Sequence, residues 1–310
     1  MQCIKCSKEA VEYVRYNGSH LCHEHFLEYV ERRVKRELRR QVDLDGKRKV
    51  AVALSGGKDS SVALYILCKA LEGRKDLEVE AITVDEGIAG YRPGTLAKAK
   101  ELTEALGVRH HLISFQDEVG RTMDELVPQL TDKGPCTYCG VLRRRCMNKV
   151  ARDIGADVLA TGLNLDDTAQ SILMNFTRGD VERLARLGPH LKVQPGLIPR
   201  IQPLRQVPEK ESYIYAMLRE LPFSDDECPY ADRALRNEYR AIVDDLEDRH
   251  TGTKFAILAS YDEVRPCLIK SHPQSELRTC ECGEPTIRDR CMACELVDSL
   301  VRIRNDPAPP

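Results

Sequence analysis

The apolar run Val50-Ala51-Val52-Ala53-Leu54 leads directly into Ser55-Gly56-Gly57-Lys58-Asp59-Ser60, and then into the helix-like stretch from Ser61 to Leu67. No other stretch constrains the fold so tightly. The run has the length of a short buried strand, the paired glycines permit a tight turn with close backbone approach, and Ser60 opens a helix. Strand, glycine turn and helix in that order build an anion site, because the N–H groups at a helix start point outward with the positive end of its dipole. The spacing excludes a Walker A loop, which needs four residues between its first Gly and its Gly-Lys. An ordinary glycine-rich turn is the plain alternative. It is disfavoured because all three elements occur in the order a phosphate site needs.

A regular alternation follows. Val79 to Asp85 reads as a second strand, 94 to 106 as a helix, Val108 to Phe115 as a third strand and Asp157 to Thr161 as a fourth, with helical stretches between. This pattern predicts an α/β fold built on a doubly wound parallel sheet. Pro195, Pro199, Pro203 and Pro208 mark 195–208 as an irregular connector, and helices are expected over 209–220 and 232–249, their charges forming solvated faces. Ligands in such sheets sit beyond the carboxyl ends of the strands, which brings Ser55 to Ser60, Val84-Asp85 and Thr161-Gly162 to one rim. Gly162 would let a nucleotide approach the backbone. In Asn164-Leu165-Asp166-Asp167, helix capping accounts for one carboxylate. The second is read as a magnesium ligand or a catalytic acid.

At 310 residues the chain has room for more than one module. No apolar run approaches the roughly 18 residues a membrane span needs, and the first residues, with Lys5, Lys8 and two cysteines, do not read as a signal peptide. A net charge of −2 does not announce a nucleic-acid binder, so any grip on RNA must come from local basic patches. Most of the 13 cysteines cluster in close pairs beside a nucleotide pattern, which favours metal ligation in a reducing, cytoplasmic setting over disulfides.

Cys3-x-x-Cys6 and Cys22-x-x-His25 offer four N/S ligands suited to tetrahedral zinc, with His20 and His23 as competitors for the last place. A second four-thiol set is Cys280-x-Cys282 with Cys291-x-x-Cys294, read as a zinc ribbon whose first pair is unusually tight. Between the two, Leu27, Val30, Val34, Leu38 and Val42 form an apolar helical stripe, with Arg32, Arg33, Lys35, Arg36, Arg39 and Arg40 largely off it. Such a basic face is either simply solvated or a contact for tRNA phosphates. In mid-chain, Cys136-Thr137-Tyr138-Cys139 and the remote Cys228 supply three thiols. They suit zinc with an open position, a persulfide relay, or a [4Fe-4S] cube with one iron free of protein. Cys146, seven residues past Cys139, is a weaker candidate.

The Ser-Gly-Gly-Lys-Asp-Ser loop resembles that of the PP-loop ATPases, which cleave ATP to AMP and pyrophosphate while adenylating a substrate. The whole series of motifs resembles the TtuA group of tRNA 2-thiouridine synthetases, which includes the archaeal and eukaryotic wobble-uridine thiolases. The resemblance implies an ATP- and Mg2+-dependent sulfurtransferase with a [4Fe-4S] cluster on Cys136, Cys139 and Cys228, and two structural Zn2+ ions. It also implies a homodimer supplied with sulfur by a ubiquitin-like thiocarboxylated protein or by free sulfide. Carried onto this sequence, Ala53, Ser55, Asp59 and Gly162 fall on ATP contacts, with Gly56, Gly57, Lys58, Ser60 and Val84 beside them, and Asp167 falls on the proposed catalytic acid. Arg143 stands where the family often has Lys; it keeps the charge but suits phosphate binding better than proton donation. Cys-Gly-Val-Leu-Arg-Arg is closer to the wobble-uridine branch than to the ribothymidine-loop branch. The organisation expected is a zinc module (1–26), a basic linker helix (27–48), a PP-loop catalytic domain (49–250), a connector (251–275), a zinc ribbon (276–304) and a disordered tail (305–310).

Overall fold

The computed structural model describes residues 1–130, 134–190, 194–231, 235–273 and 275–305; residues 306–310 of the expected tail and 232–234 of the expected helix lie outside them. The chain begins with an antiparallel pair, β1 (Glu12–Val14) and β2 (Ser19–Leu21), followed by α1 (His23–Gln41). This helix starts earlier than its apolar stripe suggests. His25 therefore sits in its first turn, and the first metal set and the basic helix are one unit. Phe26, Leu27, Val30, Val34 and Leu38 recur at helical spacing and are buried.

The alternating region folds as β3 (Lys49–Ala53), α2 (Lys58–Leu71), β4 (Glu78–Asp85), α3 (Arg92–Leu106), β5 (Arg109–Ser114), the short α4 (Phe115–Val119) and α5 (Met123–Leu126), α6 (Pro135–Asp153), β6 (Val158–Thr161) and α7 (Leu165–Thr177). After α8 (Val181–Ala185) the chain adds β7 (Arg200–Ile201) to the same sheet. The strand order β5-β4-β3-β6-β7 is parallel throughout, as the alternation predicts. The chain winds outward from β3 to β5 and then returns to place β6 on the other side of β3. That reversal opens a crevice between the exits of β3 and β6.

The proline-rich connector thus holds a fifth strand, which the sequence hides. Leu159 pairs with Arg200 and Ala160 with Ile201, while Pro199 and Pro203, having no N–H to donate, limit the strand to two residues at the sheet edge. Two expected helices are α9 (Glu209–Leu218) and α10 (Arg236–Arg249). The 251–275 connector is mostly α11 (Thr253–Ser271), packed on α7 and α8 through Leu258 and Tyr261, with Pro266 inside it. β8 (Arg278–Thr279), β9 (Pro285–Thr286) and α12 (Met292–Asn305) complete the second cysteine module. Among the described residues no helix is long and apolar enough to cross a membrane.

Arg33 corrects the reading of the basic helix. It is buried, pairs with buried Glu211 on α9 at 3.2 Å, and lies over the rings of Tyr16, Tyr29 and Phe255 at 5.2, 4.6 and 5.3 Å. Burial raises the pKa of the Glu211 carboxyl and Arg33 lowers it, so α9 is not a wholly solvated face. Removing one partner of a buried pair strands the other charge, which costs about 3–5 kcal/mol. Arg33→Ala should lose about that much in urea unfolding, and Arg33→Met with Glu211→Gln should recover most of it. Equal loss in both variants would mean that the guanidinium acts by packing alone.

Candidate active site and metal centres

The turn after β3 is held from within and from below. Ser60 Oγ accepts from Ser55 N (3.1 Å) and donates to Gly57 O (2.9 Å), while Ser55 Oγ accepts from Gly57 N (3.3 Å). Beneath it, buried Arg92 donates to Ser55 O and Thr95 Oγ1 (3.0 Å each) and to Val84 O, and pairs with buried Glu86 at 2.7 Å. Gly56 has φ +85°, and a Cβ there would lie 1.9 Å from Thr95 O, so only glycine fits. A Cβ on Gly162 would come within 2.8 Å of Ser60 N. Gly162, read as an opening for the nucleotide, is needed first by the loop itself.

Gly57 caps α2 with no side chain, leaving the first N–H groups facing the crevice. Lys58 Nζ is 2.6 Å from Glu209 Oε1 and 3.1 Å from Asp59 Oδ2. Burial raises the pKa of Asp59 despite Lys58, and its Oδ1 has no hydrogen-bond partner among the described residues. Asp167 carries two structural duties. Its amide donates to Asn164 Oδ1 at 2.9 Å and its Oδ2 accepts from Asn164 N at 3.3 Å, completing a capping box, and Oδ1 pairs with Arg236 at 2.9 Å. Burial raises its pKa and Arg236 opposes the rise. Asp166 is buried, paired with Lys254 and accepting from Glu209 N at 2.8 Å.

Cys136 and Cys139 lie in the first turn of α6, the former exposed and the latter half-buried; Cys136 Sγ is 3.8 Å from Tyr230 O, which puts the Cys228 turn beside it. Burial pushes the Cys139 thiol up to about 11 and raises Cys228 too. The three sulfurs do not gather within 4.8 Å of one another. One zinc ion would require that, since tetrahedral Zn–S bonds of about 2.3 Å put sulfurs about 3.8 Å apart. A cube, which spreads its ligands over different irons, does not. Arg143, half-exposed one turn on, is 3.6 Å from Glu86. Cys146 is buried in the cluster beneath α6, away from the crevice.

The two outer sets have the spacing of single-ion sites. Cys6–Cys22 Sγ atoms are 3.7 Å apart, and His25 Nδ1 is 3.3 Å from both Cys3 and Cys22. Cys280–Cys294 and Cys282–Cys291 are 3.9 and 3.6 Å apart. These are tetrahedron edges for Zn–S and Zn–N bonds, and far too long for a disulfide. All four donors of each set come within 4.8 Å of one another, and neither His20 nor His23 joins the first.

One open cleft of about 1970 Å3 connects the parts. It is lined by Ala53, Ser55, Gly57 to Ser60, Val84, Gly162, Asp167, Cys136 and Arg143, and by Glu209 and a group of further arginines. Cys139 and Cys228 are not part of its lining and pack against the apolar cluster that holds Tyr138 and Leu142. Sequence reasoning missed Glu209, Arg92 and Arg236, because ordinary charged residues on helices carry no local signature of a partner more than 30 positions away.

Fold and loop together define a PP-loop nucleotide enzyme. The PP-loop domain family matches residues 28–246, and the family described as the N-terminal LIM domain of the 2-thiouridine synthetase TtuA matches residues 2–27. The chain is 38% identical to the tRNA 2-thiolation protein NcsA of Haloferax volcanii, over 97% of this chain and 99% of that one. It is 35% identical to the tRNA-5-methyluridine(54) 2-sulfurtransferase of Pyrococcus horikoshii, over 95% and 93% of the two chains. Among solved structures, the U34-tRNA thiolase NcsA from Methanococcus maripaludis with its [4Fe-4S] cluster superposes with a TM-score of 0.84 at 35% identity, over 97% and 96% of the two chains. The chain therefore belongs to the TtuA/NcsA family of tRNA 2-thiolation proteins.

Modules this small generally fold only around a metal ion. Cys3→Ser and Cys280→Ser should each lower bound zinc from about two per chain towards one, at one metal per four ligands, as measured by elemental analysis. Unchanged zinc in both would show that these residues are not ligands.

Proposed function

We propose that this chain is an ATP-dependent tRNA uridine 2-sulfurtransferase acting on the wobble uridine. One observation carries the reading. The helix start that suits phosphates, the Cys136 thiol and a cationic wall all line the same cleft, so a nucleotide, a sulfur source and an RNA strand can meet there. The likeness to the U34-tRNA thiolase NcsA, with a TM-score of 0.84 over 97% of this chain, supports the wobble position over the ribothymidine loop. The reading includes a cytoplasmic homodimer, zinc in both outer modules, and a thiocarboxylated ubiquitin-like protein or free sulfide as donor.

The chemistry is set by a poor leaving group. The C2 oxygen of uridine attacks the α-phosphorus of ATP and pyrophosphate departs; hydrosulfide then attacks C2, and AMP leaves with that oxygen. The α2 N–H groups and Lys58 hold the phosphates as charge shifts onto them. Lys58 must exchange Glu209 for phosphate, and Asp59, whose Oδ1 lacks a partner, is placed to take the Mg2+ that accompanies ATP. Arg143, above Glu86, gives the phosphates a fixed positive charge. Asp167 keeps Arg236 and the start of α7 in place at the cleft. When bound on Cys136, Cys139 and Cys228, a [4Fe-4S] cluster supplies an iron without a protein ligand, a place for hydrosulfide. The exposure of Cys136 favours one alternative, a persulfide on Cys136 or Cys139 whose outer sulfur comes from a persulfide donor already at the sulfane level, with Cys228 displacing it and an external dithiol reducing the disulfide left behind.

Anaerobic incubation with ATP, Mg2+, sulfide and tRNA, followed by mass spectrometry of the nucleosides, should yield 2-thiouridine. Asp59→Ala should lower that yield by at least about 100-fold while leaving the unfolding midpoint in place; wild-type turnover would remove Asp59 from the mechanism.

Oxygen separates the two sulfur chemistries. A cluster with an exposed iron is open to oxidation, so air should abolish thiolation while ATP binding and zinc persist, and iron with sulfide should restore it anaerobically. Cys228→Ser should prevent the recovery. Full activity from an iron-free preparation in air would favour the persulfide.

A further inference from the structure

The arginines of the cleft are not distributed like solvated surface charge. Arg144 on α6, Arg178 at the end of α7, Arg183 and Arg186 on and after α8, and Arg200 on β7 all line it. Arg144 is exposed in the cleft and has no hydrogen bond or ion pair among the described residues; desolvation by the cleft walls, with Arg200, Arg143 and Arg183 nearby, lowers its pKa. The Arg200 Nε is buried without a partner. His190, whose amide donates to Arg200 O at 3.0 Å, reports the same field: burial, Arg200, Arg265 and Arg186 push it down to about 4. Arg183 and Arg186 pair only with neighbours on their own turns, half-buried Asp180 at 3.4 Å and exposed Glu182 at 3.3 Å, interactions that contribute little.

The carboxylates of the cleft gather elsewhere. Asp59 and Glu209 surround Lys58, and Asp225 to Glu227 follow Ser224, whose amide donates to Gly56 O at 2.9 Å. Glu284, the one carboxylate acting on Arg200, is engaged by Arg152 (3.2 Å) and Asn148 (3.0 Å) of α6. Guanidinium groups lining one cleft with so few counterions, Arg144 feeling both Arg200 and Arg183, repel one another unless a polyanion lies across them.

We infer that Arg144, Arg178, Arg183, Arg186 and Arg200 form the seat for the phosphodiester backbone of the bound RNA, separate from the α2 site that takes the phosphates of ATP. The inference rests on the tRNA reading above and assigns the residues that grip the strand. The charge is spread over four elements, too wide for a triphosphate already served by α2 and Lys58. Geometry also fits delivery of a base. Arg144 lies eight residues along α6 from Cys136, about 12 Å at the helical rise, so a backbone held there presents a splayed-out base toward the thiols.

The test is anisotropy of labelled tRNA with the full chain, titrated over a range of KCl. The Arg144→Gln, Arg178→Gln, Arg200→Gln triple variant should bind tRNA about tenfold or more weakly near 0.15 M salt, with a salt slope smaller by about one for each phosphate no longer neutralised. Its ATP affinity and zinc content should match wild type. Arg144→Lys should keep the slope, since a point charge suffices for phosphate. If the triple variant unfolds, Arg178→Gln alone, at an exposed site, should still reduce the slope. A parallel set, Arg36→Gln, Arg39→Gln and Arg40→Gln, probes the outer face of α1. Weaker binding there with no change in the cleft set overturns the inference, as does unchanged tRNA affinity with reduced thiolation, which would assign the arginines to the sulfur donor. Failure of the wild type to bind tRNA would instead overturn the function proposed above.

Discussion

Everything at this site depends on how closely two backbone turns approach each other. β3 and β6 are neighbours in the sheet, with Ala53 opposite Thr161, so their exits must share one small volume. They share it because Gly162 has no Cβ to strike the Ser60 amide and Gly56 none to strike Thr95 O. Arg92 then locks the turn from below. A buried guanidinium is expensive unless its donors are satisfied, and here carbonyls of β4 and the loop, Thr95 and Glu86 all converge on it. The result is a helix start whose N–H groups are aimed before any phosphate arrives.

The charges around that helix start suit a nucleotide that comes with its own cation. Without phosphate, Lys58 is neutralised by Glu209 and Asp59; with phosphate, those carboxylates are released beside new negative charge. The upward shifts at Asp59 and Asp167, led by burial, already mark acids short of compensation. A divalent ion between carboxylate and phosphate relieves both groups. At the α6–α8–β7 end the imbalance has the opposite sign, and there only an anion relieves it.

The sequence was most legible where one local rule sufficed. The strand-turn-helix at Val50 to Leu67, the paired ligands at zinc spacing and the parallel alternation depend on short-range periodicity, and all appear in the fold. Legibility failed where partners are distant. Arg33 reads as a surface charge until Tyr16, Phe255 and Glu211 close around it. The strand β7 is two residues between prolines, too short for any periodic signal. α11 carries Pro266 and only Leu258 and Tyr261 as deeply buried anchors, so its pattern is faint. Asp166 and Asp167 show a subtler limit, because sequence locates two acids at a helix start but not the Lys254 and Arg236 that occupy them.

The second cysteine module stands in a different relation to the chemistry than the first. Cys280 and Cys291 lie in the same apolar cluster as Tyr138 and Leu142 of α6, and Glu284 of this module bonds Asn148 and Arg152 further along that helix. α6 carries Cys136 and Cys139 at its start and Arg143 and Arg144 a turn later. One helix therefore fixes thiols and arginines to a common frame, and the module packs against that frame. Modules of this size generally fold only around an ion, so a metal held by these four thiols would brace α6 as well as its own loops. Such an ion, remote from the phosphate site, would help to fix the distance between the thiol end of the cleft and its arginine wall.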